Sequence, residues 1–214
     1  MVLMESLVHS SKTKILDAAL QVIRTKGYTA ATIDDICAAA GVTKGSFFHH
    51  FSGKVDLALA AVEYWNTVTG GLFASAPYQS IADPRERVLA YIDFRKALVQ
   101  GNTPEYTCLL GTMVQDTFET NPPIRDACNH GIALHAQTVA VHIAAAKALY
   151  APRADWDPEQ LAFYTQAVIQ GAFVLAKAQG SKDIAIACID QLRSHVAALL
   201  PLPTVHTTNR RKSP

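Results

Sequence analysis

Residues 32–51 read TIDDICAAAGVTKGSFFHHF. Their order predicts two short helices joined by a tight turn. Thr32 can cap the first helix, with Asp35 three residues on in the capping-box position usually held by Glu or Gln. That helix runs only to about Ala39. The connection Ala39-Ala40-Gly41-Val42 is small enough to let two helices cross closely, and Gly41 can adopt the backbone conformation of a tight turn. Thr43 caps the second helix. In it, Phe47 and Phe51 are four apart and can face the core together, so the other positions face outward. No acid occurs between Cys37 and Val55. Lys44, His49, His50 and Lys54 can offer positive charge or hydrogen bonds to phosphates, and the amides and hydroxyls of Thr43 to Ser46 sit at a helix N-terminus that favours anions. Together these residues describe a DNA-reading helix-turn-helix.

Upstream, Ile15, Leu16, Ala19, Leu20, Val22 and Ile23 share one face of an amphipathic helix over Ser11 to Lys26, closed by Gly27. Downstream, Gly53 opens a longer helix through Ala58, Ala61, Val62 and Trp65 to about Phe73. Beyond it prolines divide the chain. Asp83-Pro84, Thr103-Pro104, Asn121-Pro122 and Asp157-Pro158 each pair a capping side chain with a first-turn proline, which predicts helix starts near 84, 104, 122 and 158. Gly180-Ser181-Lys182-Asp183 ends one helix and caps the next. Alanine clusters at Ala38 to Ala40 and Ala144 to Ala146 add helix propensity. No strands and no repeats are expected, so the fold class is all-α.

The chain has 214 residues, 19 Lys or Arg against 18 Asp or Glu, and 50% hydrophobic residues. This composition suits one or two soluble globular domains and argues against disorder. Four cysteines without a C-x-x-C pair give no disulfide scaffold, and Met1 to Lys14 is not a signal peptide, so a cytoplasmic protein is expected. The most apolar stretch, Thr138 to Ala151, is interrupted by His142 and Lys147, and no transmembrane helix is expected from it. Near-neutral charge conceals a separation. Arg210, Arg211 and Lys212 fall in a tail over 204–214 expected to be disordered, so the rest of the chain is net acidic around a locally basic segment from Val42 to Lys54.

At this point the chain resembles the TetR-type transcriptional regulators. Thr32, Ile36, Ala40, Gly41, Val42, Thr43, Gly45, Phe47, His50, Phe51, Lys54 and Leu57 fall in register with the family's pattern over about Lys12 to Leu59. Two positions depart. Cys37 stands where alanine is usual, a small buried exchange, and Phe48 replaces a tyrosine whose hydroxyl commonly meets a phosphate. The resemblance implies that Thr32, Thr43, Phe48, His49, His50 and Lys54 lie along the phosphate backbone, with Lys44, Gly45 and Ser46 closest to base edges. Lys44 could donate to guanine. It also implies a DNA-binding domain over 9–69 with the helix-turn-helix proper at 32–51, and a helical ligand-binding and dimerisation domain over 70–203. The partners would be a double-stranded DNA operator, a small-molecule effector and a second copy of the chain, without a membrane. The copies would pair through the last two helices, which carry Leu161, Val168, Ala172 and Leu175 on one and Ile184, Cys188, Leu192, Val196 and Leu199 on the other.

In the larger domain, Cys128, His135 and His142 recur every seven residues on one helix face, about 10 Å apart. Metal ligands sit about 2 Å from their ion, so this spacing does not suit a single metal. The stripe either lines a ligand cavity or consists of partly buried side chains satisfied by neighbouring helices. Trp65, Tyr91, Phe94, Tyr106, Met113, Phe163 and Tyr164 likewise either line an apolar pocket or fill a core. No cofactor and no catalytic residue is expected, since no G-x-S-x-G, H-E-x-x-H, G-x-G-x-x-G or G-x-x-x-x-G-K-[ST] occurs. A helical small-molecule-binding protein, or an enzyme with a cavity in the larger domain, is the alternative, and it leaves Thr32 to Leu57 unexplained.

Overall fold

The structure is a computed structural model that describes residues 10–202. Residue 9, where the first domain was expected to open, residue 203, where the second was expected to close, and the tail expected over 204–214 lie outside the described residues. Ten α-helices and no strands occur among the described residues: α1 (Ser11–Lys26), α2 (Ile33–Ala40), α3 (Lys44–His50), α4 (Lys54–Ala74), α5 (Pro84–Ala97), α6 (Thr103–Tyr106), α7 (Leu109–Thr117), α8 (Pro122–Tyr150), α9 (Pro158–Gln179) and α10 (Asp183–Leu199). A 3-10 turn, Pro77–Ser80, joins α4 to α5.

The starts follow their capping side chains. Asp83 accepts from the Glu86 N–H at 2.9 Å, Asn121 from Ile124 at 3.4 Å and Asp157 from Gln160 at 2.9 Å, each with proline at the next position. One start differs. Thr103 is the first residue of α6 rather than its cap, a role taken by Asn102. The helix expected from that start also breaks, because Thr107 and Cys108 are extended between α6 and α7. Arg24 of α1 stabilises the break by donating to the carbonyls of Glu105 at 3.1 Å and Thr107 at 3.5 Å, which the interrupted helix leaves free.

Two hydrophobic cores form. The first joins α1 to α4 with α7 and the start of α8, through fully buried Ile15, Ile36, Phe47, Leu57, Met113 and Ile124. The second joins α5, α8, α9 and α10 around Tyr91, Ile92, Ile143, Ile169 and Ile189. Helix α4 belongs to both ends of the molecule, since Leu57 to Val62 enter the first core and Phe73 packs on the second. By length and by the mean hydropathy of their most apolar 18-residue stretches, 1.3 in α8 and 1.2 in α9, these two helices could cross a membrane, which the sequence reading of Thr138 to Ala151 did not anticipate. Both are instead packed in the body, with Val139, Ile143 and Ala146 of α8 in one cluster with Ala162, Ile169 and Ala172 of α9.

Candidate nucleic-acid interface and ligand cavity

Helix α2 ends at Gly41, which adopts the left-handed conformation at φ 64° and ψ 36°, a backbone geometry that side chains with a Cβ resist. The turn sends α3 across α1 and α2. Thr32 and Asp35 form the capping box despite the shorter acid: the Asp35 N–H donates to the Thr32 hydroxyl at 3.1 Å, and the Thr32 N–H returns to the Asp35 carboxylate at 3.0 Å. A hydrogen bond from Lys26, with those from Thr32, holds the Asp35 carboxyl down to about 2. Thr43 caps α3 by accepting from the Ser46 N–H at 3.2 Å. Phe47 and Phe51 are buried in the core, with ring centroids 5.6 Å apart.

The opposite face of α3 is open. Thr43, Lys44, Gly45, Phe48 and His49 are exposed, Phe48 at 55%. Ser46 and His50 are half-buried, and the His50 ring meets the Ser11 hydroxyl at 2.6 Å, tying α3 to the start of α1. Two lysines differ from their sequence picture. Lys44 pairs with Asp34 at 2.7 Å, an acid outside the acid-free run that the fold brings to it. Lys54 turns inward, donating to the Thr29 carbonyl at 3.1 Å with its ammonium 4.5 Å from the Tyr28 ring centroid, and burial pushes its pKa down. Its first role is to hold the α1–α2 turn.

A cavity of about 420 Å³ lies between α4, α5, α6, α7, α8 and α9. Of the side chains named from sequence, Trp65, Tyr106 and His135 line it. Tyr91 lies just behind, 1% exposed, its hydroxyl 2.9 Å from the His135 Nε2. The others are elsewhere. Phe94 meets Phe73 edge to face and Tyr78 at a tilt, outside the lining, and His142 meets Tyr78 edge to face with ring centroids 6.1 Å apart. Met113 and Cys128 are fully buried in the first core, where burial raises the Cys128 thiol to about 12. Phe163 and Tyr164 point away on the outer face of α9, 41% and 45% exposed. The seven-residue stripe therefore separates into one core cysteine, one cavity histidine and one histidine behind the wall. Seven-residue spacing on a 3.6-residue helix drifts by about 20° per step, and α8 is 29 residues long, so one stripe meets different neighbours along its length.

The cavity also uses residues that sequence reasoning missed. Arg95 donates through Nη1 to His135 Nε2 at 3.2 Å and lies 5.4 Å from the Phe73 ring centroid. Gln166 of α9 donates to the Tyr91 hydroxyl at 3.1 Å. Because arginine and the Gln166 amide only donate here, the Tyr91 hydroxyl donates to His135, leaving the Nε2 of a neutral ring as acceptor. Burial, with the Arg95 charge adding, pushes His135 down to about 3. The available signal was the spacing Tyr91, Phe94, Arg95 along one helical face; a lone arginine there otherwise reads as solvated.

Contacts from the cavity wall reach the helix-turn-helix. Arg24 of α1 lies 5.1 Å from the Trp65 ring centroid, and the Asp116 carboxylate of α7 accepts from the Thr29 N–H at 3.1 Å. The same carboxylate lies against Gly27, whose Cβ, if it had one, would come within 2.8 Å of it.

A short outward-facing helix on a left-handed glycine turn, with a larger helical body around a cavity, defines a helix-turn-helix regulator. Residues 15–61 match the family model described as bacterial regulatory proteins, tetR family, and residues 84–192 match the tetracyclin repressor-like C-terminal domain. The chain belongs to the TetR family of transcriptional regulators, a family of DNA-binding proteins rather than enzymes. It is 28% identical over 178 residues to the transcriptional regulator AcuR of Cereibacter sphaeroides, covering 83% of this chain and 80% of that one. Over 51 residues, 24% of this chain and 25% of the other, it is 47% identical to the regulator CymR of Pseudomonas putida. A regulatory protein TetR from Rhodobacter sphaeroides superposes with a TM-score of 0.77 at 25% identity, covering 86% of this chain and 98% of that one. The reduced form of Escherichia coli NemR shares the fold, with a TM-score of 0.78 at 20% identity over 92% of this chain and all of that one.

Proposed function

We propose that the protein is a homodimeric, ligand-responsive repressor that leaves a palindromic operator when a small molecule enters the cavity, acting in the cytoplasm. The observation that carries this reading is α4. One helix begins at Lys54, separated from α3 only by Phe51, Ser52 and Gly53, and reaches the cavity wall at Trp65 and Phe73. A ligand that favours a different placement of Trp65 and Phe73 thereby favours a different placement of α3. Residues 9–69 form the DNA-binding domain and 70–203 the ligand-binding and dimerisation domain, although α7 lends its core residues to the first.

Lys44, Gly45 and Ser46 approach base edges in the major groove, while Thr32, Thr43, Phe48, His49 and His50 lie along phosphates. Lys44 must leave Asp34 to do so, which costs little, because both side chains are exposed and water screens the pair. Lys54 reaches a phosphate only by leaving Thr29. The dimer forms through the outer faces of α9 and α10. These faces share only part of the stripes expected from sequence, since Leu161 and Ala172 of α9 and Leu192 and Val196 of α10 are buried within the protomer; on α9 the face keeps Leu175 and adds Phe163, Tyr164 and Val174 beside Gly171.

The test is binding of a selected duplex across a salt series. Lys44→Ala weakens binding of the selected duplex by about tenfold at each salt concentration, with a smaller effect on a scrambled duplex. Affinity unchanged at every salt concentration in a folded Lys44→Ala dimer would exclude α3 as the reading surface.

A further inference from the structure

The cavity holds a charge without a counter-charge. Arg95, half-buried, uses Nη1 for His135 at 3.2 Å and for the Tyr91 hydroxyl at 3.5 Å. Its Nε and Nη2 donate to no group, and no carboxylate lies within 4.0 Å of it, among the described residues. The acid in the lining, Glu105, is engaged elsewhere, accepting from the Asn102 N–H at the start of its own helix. The other groups facing Arg95 are neutral: His135 in the tautomer set by Tyr91, the Tyr91 hydroxyl and the Phe73 ring face. A fixed positive charge in an apolar recess strongly favours an anion, because the surroundings screen it less than water does.

The form of that anion follows from the geometry. Arginine presents a planar fork of N–H groups that matches a carboxylate through two parallel hydrogen bonds. One uncompensated positive charge suits a single negative one, and a phosphate dianion would leave a second charge buried without a partner. Away from Arg95 the wall mixes Trp65, Leu134 and Phe173 with the polar Asn66, Thr138 and Gln170, and its surface is mostly apolar, which favours an apolar body. The volume, about 420 Å³, lies in the lower part of the range of about 300–1,000 Å³ typical of ligand pockets.

We propose that the effector is a small monocarboxylate with an apolar body, its carboxylate held by the Arg95 fork and its body against the Tyr106 and Phe173 side of the cavity. The proposal rests on the ligand-responsive reading above and narrows it to one chemistry. Gln166 is the positioning residue: by donating to the Tyr91 hydroxyl at 3.1 Å it helps orient the Tyr91–His135 pair that anchors the Arg95 guanidinium.

The experiment uses the full chain, its selected duplex, and matched probes: benzoate, phenylacetate, hexanoate and octanoate, each with its amide and its primary amine. Thermal shift reads binding and fluorescence anisotropy reads release of the duplex. At least one acid is expected to raise the melting temperature and release DNA, with its amide and amine at least tenfold weaker. Arg95→Gln should weaken that acid about 10- to 100-fold. Arg95→Lys, which keeps the charge without the fork, should fall between, and it decides the matter if Arg95→Gln does not fold. Acids that bind no better than amides or amines, acids that bind the Arg95 variants as tightly as the native protein, or a set in which no acid binds would each overturn the proposal. The two readings fail differently. Release of DNA by an amide or amine alone removes the carboxylate and keeps ligand response, whereas a duplex indifferent to every probe removes both.

Discussion

Lys44 and His135 show how single side chains here depend on what the fold brings to them. Lys44 looks free in a run without acids, yet Asp34 pairs with it from the preceding helix at 2.7 Å. The pair neutralises the one lysine of α3 in the free protein, and because both lysine and aspartate are exposed, it would yield readily to the phosphate or base partners proposed for Lys44. His135 is the buried counterpart. Its folded pKa lies near 3, depressed by burial and by Arg95, whereas an unfolded histidine titrates near 6.5. The folded state therefore binds fewer protons than the unfolded one below about 6.5, so the stability associated with a neutral His135 is complete above that pH and declines as pH falls towards 3. His142, depressed by burial and by Arg87, acts in the same direction. Between pH 6.5 and 5, above the carboxylate range, the melting temperature should fall for the native protein and fall less for His135→Gln. Equal slopes for the two proteins would show that His135 does not carry this dependence. Sequence revealed neither partner, because Asp34–Lys44 and Arg95–His135 join residues on different helices.

At the scale of elements, much was legible and one junction was not. The starts of α5, α8 and α9 were readable from Asp83, Asn121 and Asp157 because a cap and a first-turn proline act within four residues. The left-handed Gly41 and Gly180 were readable for the same local reason. The break between α6 and α7 was not, since what stabilises it is Arg24, some eighty residues earlier in the chain. That junction is also where the two halves meet. Arg24 reaches the α6–α7 break and Trp65 of the cavity wall, and Asp116 of α7 accepts from Thr29 at the turn before α2. If α7 transmits a change in the cavity to α2 and α3 through this contact, Asp116→Ala should leave the affinity of ligand-free protein for its duplex close to native and reduce the loss of affinity on adding effector. Allosteric couplings between two sites are typically about 1–3 kcal/mol, which sets the scale of the effect to be measured. A coupling unchanged in Asp116→Ala, measured as the ratio of duplex affinities with and without effector, would assign transmission to α4 alone.

For the whole molecule, the apolar patterns that sequence left open are divided by position. Phe163 and Tyr164 looked like pocket residues and lie on the outer face of α9, in one stripe with Val174 and Leu175. Met113 and Cys128 looked alike and are core. Helical periodicity tells which residues share a face and not what the face meets, so the candidate DNA surface, made within one short segment, was far more legible than the cavity, which six helices enclose. The exposed stripe on α9 is the surface through which two copies are proposed to pair. Leu175→Glu together with Val174→Glu should convert the dimer to monomer by light scattering, with the helical content retained, and weaken operator binding by removing the second α3. A double variant that remains dimeric would place the interface elsewhere.

The most direct test of the central claim is selection of duplexes from a randomised pool by the purified protein. Two copies of α3 related by a twofold axis should enrich an inverted repeat with half-sites about 34 Å apart along the helix axis, or a multiple of that, and Lys44→Ala should weaken the enrichment and relax it at the base pair that Lys44 reaches. A pool that shows no enriched sequence, or one enriched equally by Lys44→Ala, would contradict the account.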